Sequence, residues 1–304
     1  MSQNTQHILM VRPVSFAFNH ETAVNNAFQQ SDAQSAETQN RAAQEFNHMV
    51  QLLQENGVNV LVVDDTPEPH TPDSIFPNNW FSTHEEGFMV LYPMFAENRR
   101  AERRPEIAQL LSDHFVMTDV LDFTPYEQQQ VYLEGTGSMV LDRELRICYA
   151  CLSPRTDKLL LEEFCKKLGY ELLAFHALDK QGNPIYHTNV VMTVGEQFLL
   201  VCLECIPNQT ERELIKQSTS KKIIEITLDQ LNHFAGNMLE VVNKKGEHLL
   251  IMSNQAYQSL TLEQITSLEM YARILHPDLT TIETNGGGSA RCMMAEIFLP
   301  PKNN

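Results

Sequence analysis

The sequence predicts an α/β protein in which five ββαβ units close into a ring, a five-fold pseudo-symmetric α/β propeller. Three observations indicate this fold class. A pattern of strand, tight turn, strand, helix and strand recurs along the chain at steps of about fifty to sixty residues. Each copy begins near a corner containing glycine, asparagine or another small residue. The fifth copy is complete only when segments from the two ends of the chain are combined, as in a closed ring.

The first two strands of each unit are short apolar segments joined by a tight turn, as in β-hairpins. Glu85-Glu-Gly87 and Asn243-Lys-Lys-Gly246 are examples of these turns. The predicted strand pairs are 78–84 with 88–94, 135–141 with 146–152, 189–194 with 198–203, 236–242 with 248–253, and 286–297 with 8–12.

The helix of each unit is marked by a start or stop signal. Gly57 and Gly169 suit the position that ends a helix, and Pro207 precedes a helix start. The predicted helices are 98–115, 156–168, a segment after 207, 262–275 and 40–55. The predicted third strands are 116–121, 170–175, 222–228, 279–283 and 58–64. We therefore expect residues 1–304 to form one domain, with the two ends of the chain sharing one repeat. The alternative is an α+β sandwich with similar strand pairs.

One segment does not fit the repeat. Residues 15–40 contain Phe16-Ala-Phe-Asn-His20 and a polar run from Gln29 to Ala36. Segments of this length are often lids over binding sites, and an exposed surface loop is the alternative. We expect this excursion to lie near the mouth of the central channel.

The charge of the chain limits its partners. Its 304 residues include 22 Lys and Arg against 39 Asp and Glu, which gives a formal net charge of −17. A surface of this sign repels phosphate backbones and anionic lipids, so we expect no nucleic acid and no membrane partner. The N-terminal segment has neither the basic nor the apolar region of a signal peptide, which predicts a cytoplasmic protein. The sequence leaves a homo-oligomer open.

Two Cys-x-x-Cys pairs are compatible with a zinc site, but both lie in strand-like segments. Residues three apart on a strand point to opposite faces, which favours packing over metal binding. We therefore predict no metal and no cofactor, and leave zinc as the alternative. The pairs are Cys148 with Cys151 and Cys202 with Cys205.

In a closed ring, the corners of the units meet at the central channel. They lie at Asn79, Glu134–Gly137, His187–Asn189, Gly236 and Gly286–Cys292. Three of them carry a thiol, an imidazole and a carboxylate: Cys292, His187 and Glu134. This set supplies a nucleophile, an acid/base and an orienting group. Each residue alone is more simply a packed or hydrogen-bonded core residue, but their equivalent positions favour catalysis. Arg291, beside Cys292, is expected to activate the thiol.

Several segments resemble the guanidine-modifying, or pentein, superfamily over nearly the whole chain. They are Thr71-Pro-Asp-Ser-Ile-Phe-Pro-Asn-Asn79, Leu133-Glu-Gly-Thr-Gly137, Leu152-Ser-Pro-Arg-Thr-Asp157, His187-Thr-Asn189 and Gly286–Cys292. The resemblance implies a five-fold propeller, with Cys292 as nucleophile, His187 as catalytic histidine and Glu134 as its acidic partner. It also implies that Arg155 binds substrate. The superfamily includes arginine deiminases, dimethylarginine hydrolases and amidinotransferases.

The chain departs from the arginine-type members at two positions. Asn79 and Asn189 stand where those enzymes carry aspartates that grip a guanidinium. An amide both donates and accepts, which suits a neutral ureido group. With Met10-Val-Arg-Pro13 and Phe18-Asn19, the pattern is most similar to the citrulline-utilisation hydrolases.

The function implied by this resemblance is a cysteine hydrolase that cleaves a C–N bond of the ureido group of citrulline or a close analogue. Asn79 and Asn189 would hold the ureido group, and Asp73 and Arg155 the amino-acid end. The alternatives are an arginine or methylarginine deiminase, a dimethylaminohydrolase and an amidinotransferase, because Asp73 and Glu134 remain as carboxylates. A propeller that only binds a partner is a third interpretation, and the complete Cys, His and Glu set argues against it.

Overall fold

The structure, a computed structural model, describes residues 2–30 and 35–302. Its strands form five three-stranded sheets, which confirms the predicted fold class. The strands are β1 (His7–Arg12), β2 (Asn59–Asp64), β3 (Phe81–Thr83), β4 (Phe88–Leu91), β5 (Asp119–Asp122), β6 (Val140–Asp142), β7 (Ile147–Cys151), β8 (Glu171–Phe175), β9 (Met192–Val194), β10 (Phe198–Val201), β11 (Lys222–Glu225), β12 (Leu239–Val242), β13 (His248–Ile251), β14 (Arg273–Leu275) and β15 (Ala295–Glu296).

All five sheets share one pattern. The middle strand pairs antiparallel with an inner strand and parallel with an outer strand that follows a helical crossover. In one sheet the inner strand comes from the opposite end of the chain, because Leu9 of β1 lies opposite Ala295 of β15. The strand orders are β15-β1-β2, β3-β4-β5, β6-β7-β8, β9-β10-β11 and β12-β13-β14.

The helices lie between these strands or at the corners before them. The α-helices are His20–Ala23, Ser35–Glu55, Glu97–Arg100, Pro105–His114, Gly135–Ser138, Lys158–Leu168, Thr188–Val191, Gln209–Gln217, Leu228–Asn232, Asn254–Ser259, Leu262–Glu269 and Thr280–Gly286. The 3₁₀ helices are Pro77–Asn79, Thr124–Gln129 and Ala290–Met293. Within residues 2–30 and 35–302, no helix combines the length and apolarity that crossing a membrane requires.

Helix Lys158–Leu168 shows how the core forms. The Asp157 side chain accepts the N–H of Leu160 at its start, and Gly169 ends it with a left-handed φ of 71°. One stripe of the helix is buried against β7, including Phe164. Among the described residues, four apolar clusters of this kind make up the core. The six cysteines are all buried and free.

Two predicted helices have different bounds. The segment 98–115 is two helices, because Pro105 lacks the N–H that a continuous helix needs and starts a new one. The helix predicted at 262–275 ends at Glu269, and the third strand of its unit is β14.

The strand predicted at 279–283 is wrong, since Thr280–Gly286 is a helix. The β-branched residues there favour a strand by local propensity. However, Glu45, from a distant helix, accepts the N–H groups of Thr281 (2.8 Å) and Ile282 (3.0 Å). A carboxylate at a helix N-terminus satisfies N–H groups that have no partner within the helix. The helix is therefore stabilised by a contact that the local sequence does not contain.

The corners differ from the prediction in one respect. Residues 135–138 and 188–191, expected as the starts of strands, are single helical turns that precede β6 and β9. The glycine at such a corner allows close contact with the preceding unit. A Cβ atom on Gly135 would lie 2.4 Å from the Asn78 carbonyl oxygen, and one on Gly236 would lie 2.1 Å from that of Val190. Part of the predicted excursion, residues 31–34, lies outside the described residues, and its helix starts at Ser35 instead of residue 40.

Candidate active site

Cys292 lies in the 3₁₀ helix Ala290–Met293 and is 3% exposed. The expected strand begins only at Ala295. The thiol sulfur accepts hydrogen bonds from the amide Nδ2 of Asn189 (3.4 Å) and of Asn237 (3.3 Å). Asn237 was not predicted, although it directly follows the Gly236 corner. Two amide N–H donors therefore hold the sulfur in place at the edge of the cavity described below.

The side chain of Arg291 has a different role from the one expected. Its guanidinium donates to Glu296 Oε2 at 2.6 Å and to the Met294 carbonyl oxygen at 2.8 Å. These bonds neutralise its charge within its own segment. The expectation that Arg291 activates the thiol is therefore wrong, and the side chains that donate to the sulfur are Asn189 and Asn237.

His187 and Glu134 form a buried pair with Nε2 of the imidazole 2.8 Å from Glu134 Oε2. Burial lowers the pKa of His187 to about 4, despite the favourable contact with Glu134. Burial alone would raise the pKa of Glu134, but the charge of Arg155 and the His187 hydrogen bond outweigh burial and lower it. A neutral imidazole beside an ionised carboxylate carries its proton on Nε2. Its Nδ1 therefore has the free lone pair that a base needs.

Arg155 lies between this pair and the excursion. Its Nη1 is 3.5 Å from Glu134 Oε2, and its Nη2 donates to the Thr22 carbonyl oxygen at 2.7 Å. Its Nε donates to Asn25 Oδ1 at 2.8 Å. The guanidinium also lies 5.0 Å from the ring centroid of Tyr186, within the range of a cation–π contact. Arg155 thus connects the buried carboxylate to the segment predicted as a lid.

Asp73 and Asn79 are both buried, and each keeps one polar atom without a hydrogen-bond partner. Asp73 Oδ2 accepts from Asn19 Nδ2 at 2.8 Å and from Thr22 Oγ1 at 3.1 Å, while its Oδ1 is unpartnered. Burial raises the pKa of Asp73, against the opposing charge of Arg99. Asn79 Oδ1 accepts from Arg99 Nη1 at 2.8 Å, and its Nδ2 is unpartnered.

Arg99 is a residue of this site that the sequence interpretation missed. It is 2% exposed and donates to both carboxylate oxygens of Glu102, at 2.8 and 3.0 Å. In the sequence, the two residues fall in a charged segment that reads as the outer face of a helix. An (i, i+3) ion pair is common on helix surfaces, so no local signal marks this one as buried.

A small cavity of about 10 Å³ joins most of the predicted residues. This is about the room that one water molecule needs. Two predicted residues do not line it: Glu134 lies behind His187, and Asn189 contacts the sulfur of Cys292. The lining comprises Thr22, Asn26, Asp73, Phe76, Asn79, Arg99, Arg155, Tyr186, His187, Gly286, Gly287, Gly288 and Cys292.

Thr22 and Asn26 show that the excursion covers this cavity. Asn26 Nδ2 donates to the Gly287 carbonyl oxygen at 3.3 Å, and Thr22 contacts Asp73. A substrate larger than a water molecule therefore requires these contacts to open.

The five-sheet propeller is that of the pentein superfamily. The chain belongs to the family described as N,N dimethylarginine dimethylhydrolase, eukaryotic, which matches residues 12–299. No curated protein sequence matches the chain.

Solved structures share the fold at low sequence identity. ArgZ, an arginine dihydrolase from the ornithine-ammonia cycle in cyanobacteria, has a TM-score of 0.77 at 20% identity, over 98% of this chain and 41% of ArgZ. The N-terminal domain of ArgZ bound to substrate has a TM-score of 0.76 at 20% identity, over 96% of this chain and 99% of that domain. A dimethylarginine dimethylaminohydrolase adduct has a TM-score of 0.65 at 18% identity, over 96% and 99%.

Proposed function

We propose that this protein is a hydrolase that cleaves a C–N bond of the ureido group of citrulline, or of a close analogue, through a covalent intermediate on Cys292. The observation that carries this proposal is the fixed orientation of the Asn79 amide. A cytoplasmic setting, which keeps the cysteines reduced, is part of the proposal.

An arginine side chain donates hydrogen bonds and accepts none, so the Asn79 atom 2.8 Å from Arg99 Nη1 must be the oxygen. The amide nitrogen is thereby left as an unpartnered donor. It lies beside the catalytic imidazole, because a Cβ atom on Gly137 would be 2.5 Å from Asn79 Nδ2 and 2.7 Å from His187 Nδ1. A ureido oxygen can accept from this nitrogen. A guanidinium, which carries only donors, cannot.

The charges around the cavity also favour a neutral reacting group. Arg99 and Arg155 both line it, and Asp73 supplies a carboxylate whose charged form is disfavoured by burial. Arg99 and Arg155 are already paired with Glu102 and Glu134, so a bound guanidinium would have only Asp73 to balance its charge where the solvent is excluded. A ureido group adds no charge. The unpartnered Asp73 Oδ1 can instead accept from an N–H group or from an α-ammonium.

The proposed reaction uses the free lone pair of His187. Its Nδ1 takes the thiol proton as the sulfur of Cys292 attacks the ureido carbon. A C–N bond breaks, and the leaving nitrogen receives that proton. His187 then takes a proton from water, whose oxygen attacks the same carbon and breaks the C–S bond. His187 returns this proton to the sulfur, and the product released is a carbamate. With citrulline, the carbamate then loses carbon dioxide, which breaks the second C–N bond, so that one water is consumed in total and ornithine, ammonia and carbon dioxide are formed. The scheme holds for either order in which the two C–N bonds of the ureido group break.

In this proposal Glu134 keeps the imidazole oriented and stabilises its protonated form during transfer. Arg155 and Asp73 hold the α-carboxylate and α-amino group. Both contact Thr22 in the closed structure, through its carbonyl oxygen and its hydroxyl respectively. The amino-acid end of the substrate would therefore replace contacts made by the excursion.

Hydrolysis of arginine or a methylarginine is the second candidate. The observation that favours it is Asp73, a buried carboxylate with one oxygen free to pair with a guanidinium. Similarity of fold to an arginine dihydrolase and to a dimethylarginine dimethylaminohydrolase supports the same candidate.

A substrate panel separates the two candidates. We predict that purified protein releases ammonia and ornithine from citrulline with a higher kcat/KM than from arginine, methylarginines, agmatine or N-acylated arginines. Ammonia and amino-acid products are measured together. Turnover of arginine without turnover of citrulline would reject the proposed substrate, while leaving the cysteine mechanism in place.

A further inference from the structure

A second cavity, here called the inner-strand cavity, lies between the inner strands β6, β9, β12 and β15. Its volume is about 30 Å³, enough for about two water molecules or one small ion. Asn189 lines it and also donates to the sulfur of Cys292, so the cavity lies next to the catalytic centre. Its other polar lining residues include Gln3, Thr136, Arg143, Arg291 and Glu296.

Arg143 is the unusual member of this lining. It is 2% exposed, and its Nη1 has no hydrogen-bond partner. Among the described residues it forms no salt bridge, and its guanidinium lies 3.7 Å from the ring centroid of Phe298. A buried cation without a carboxylate or full hydrogen bonding is costly in a folded protein.

The neighbouring carboxylates are already paired with other cations. Asp142 Oδ2 lies 2.9 Å from Lys221 Nζ, and Glu296 Oε2 accepts from Arg291 Nη2 at 2.6 Å. The Gln3 side chain is also satisfied by backbone groups. Its Oε1 accepts the N–H of Arg143 at 2.7 Å, and its Nε2 donates to two carbonyl oxygens. Lys221 also lies 3.5 Å from Glu144 Oε2. None of these groups pairs with the Arg143 side chain, so its Nη1 is left as a buried cationic donor without a partner.

We propose that the inner-strand cavity binds a small monovalent anion against the Arg143 guanidinium. The volume limits the ligand to ions of about the size of chloride or bicarbonate, and both have the same electrostatic attraction to a guanidinium. The site lies apart from the lining of the substrate cavity, and anion binding there does not depend on which substrate the enzyme uses.

Thermal unfolding in sodium chloride tests this proposal, with sodium gluconate holding the ionic strength constant because gluconate is too large for the cavity. We expect chloride to raise the unfolding midpoint of the wild-type protein in a saturable way, by about 2 °C or more. Arg143→Met should abolish the rise, since methionine keeps an apolar contact with Phe298 but carries no charge. The same unfolding experiment with sodium bicarbonate in place of sodium chloride shows which of the two anions binds at the lower concentration.

Arg41→Met is the matched control, because it removes the same charge from an exposed arginine that pairs with Glu37. It should respond to chloride like the wild type. A wild-type protein without a saturable response, or an equal response in Arg143→Met, would overturn the proposal. If Arg143→Met does not fold, wild-type crystals soaked in sodium bromide decide the question. An anomalous peak within about 3.5 Å of the guanidinium supports the site, and bromide found only at the surface rejects it.

Discussion

At the scale of single residues, the candidate site is organised by side-chain amides. Asn189 and Asn237 donate to the sulfur of Cys292, and Asn79 presents its Nδ2 toward the cavity because Arg99 holds its oxygen. Amides carry no charge, so they can orient a neutral substrate and the sulfur of Cys292 without adding further charge to the site. Each amide presents to the site the atom that its protein partner does not already hold, and this determines whether it acts there as a donor or an acceptor.

The first prediction at this scale concerns the nucleophile. Cys292→Ser should lower kcat by about a thousandfold or more, because a hydroxyl is a much poorer nucleophile than a thiol beside a neutral imidazole. Steady-state kinetics with citrulline and circular dichroism of the same sample measure this. Cys202→Ala is the matched control: it removes a different buried thiol and should change stability but not kcat. Ordinary turnover by Cys292→Ser would remove this residue from the mechanism.

The second prediction concerns substrate charge. Changing both Asn79 and Asn189 to Asp should lower the citrulline-to-arginine ratio of kcat/KM by at least about tenfold. A carboxylate at position 79 still accepts from Arg99 but cannot donate to a ureido oxygen, and an acceptor facing an acceptor costs about 1–3 kcal/mol. A guanidinium would gain an ion pair instead. An unchanged ratio in a folded double variant would show that these asparagines do not set substrate choice.

At the scale of structural elements, the functional side chains are positioned by corners that pack on one another. The short helix Gly135–Ser138 contacts the Pro77–Asn79 turn through Gly135, and Gly236 contacts the carbonyl oxygen of Val190 in the same manner. Glycine is required there because a Cβ atom would overlap a backbone oxygen. The corners thus hold adjacent units, and their candidate catalytic residues, at a fixed distance.

This packing predicts that Gly236→Ala destabilises the protein by about 1–3 kcal/mol, the range for forcing an extra carbon into a packed region. Backbone, rather than a movable side chain, opposes the new atom. Denaturant unfolding of the variant measures the loss. Gly246→Ala is the control, because an added Cβ there meets no atom within 4 Å and only the cost of its φ of +78° remains. Equal losses in the two variants would contradict the packing explanation.

The sequence predicted the strand pairs well because their hairpin turns and apolar runs are local signals. It placed Cys292, His187 and Glu134 together because they occupy equivalent corners. It could not predict helix Thr280–Gly286, which depends on Glu45 from another element. It also could not predict the buried role of Arg99, since a charged residue in a polar helical segment looks the same whether that segment faces solvent or a cavity.

At the scale of the whole molecule, several charged groups are buried despite the large surface charge. Glu283 is one that the proposed chemistry does not use. It is 2% exposed, and it accepts from Ser289 Oγ at 2.5 Å and Gln255 Nε2 at 2.6 Å. Burial raises its pKa to about 7. The folded protein therefore binds a proton at Glu283 at pH values where the unfolded chain has already lost it.

This difference predicts a pH dependence of stability. The contribution of Glu283 is fully present below its unfolded pKa of 4.5 and is lost as the pH rises through about 7. The free energy of unfolding of the wild type, compared with that of Glu283→Gln, should fall by about 3 kcal/mol between pH 4.5 and 7.5. Urea unfolding across this range measures it. The difference in unfolding free energy between the wild type and Glu283→Gln cancels the contributions of other titrating groups. One of these is His187, whose contribution to stability changes with pH in the opposite direction. If the unfolding free energies of the wild type and Glu283→Gln change in parallel with pH, Glu283 is excluded as the source of the pH dependence.

The pairing of β15 with β1 also affects the order in which a ribosome can complete this protein. Strand β1 emerges early, but its antiparallel neighbour at Ala295–Glu296 appears only after the other four sheets have been synthesised. Cys292 emerges just three residues before β15. The last sheet and Cys292 are therefore synthesised almost together, and a nascent chain that ends before them contains neither. Synthesis thus keeps the proposed nucleophile absent until the scaffold around it is nearly finished.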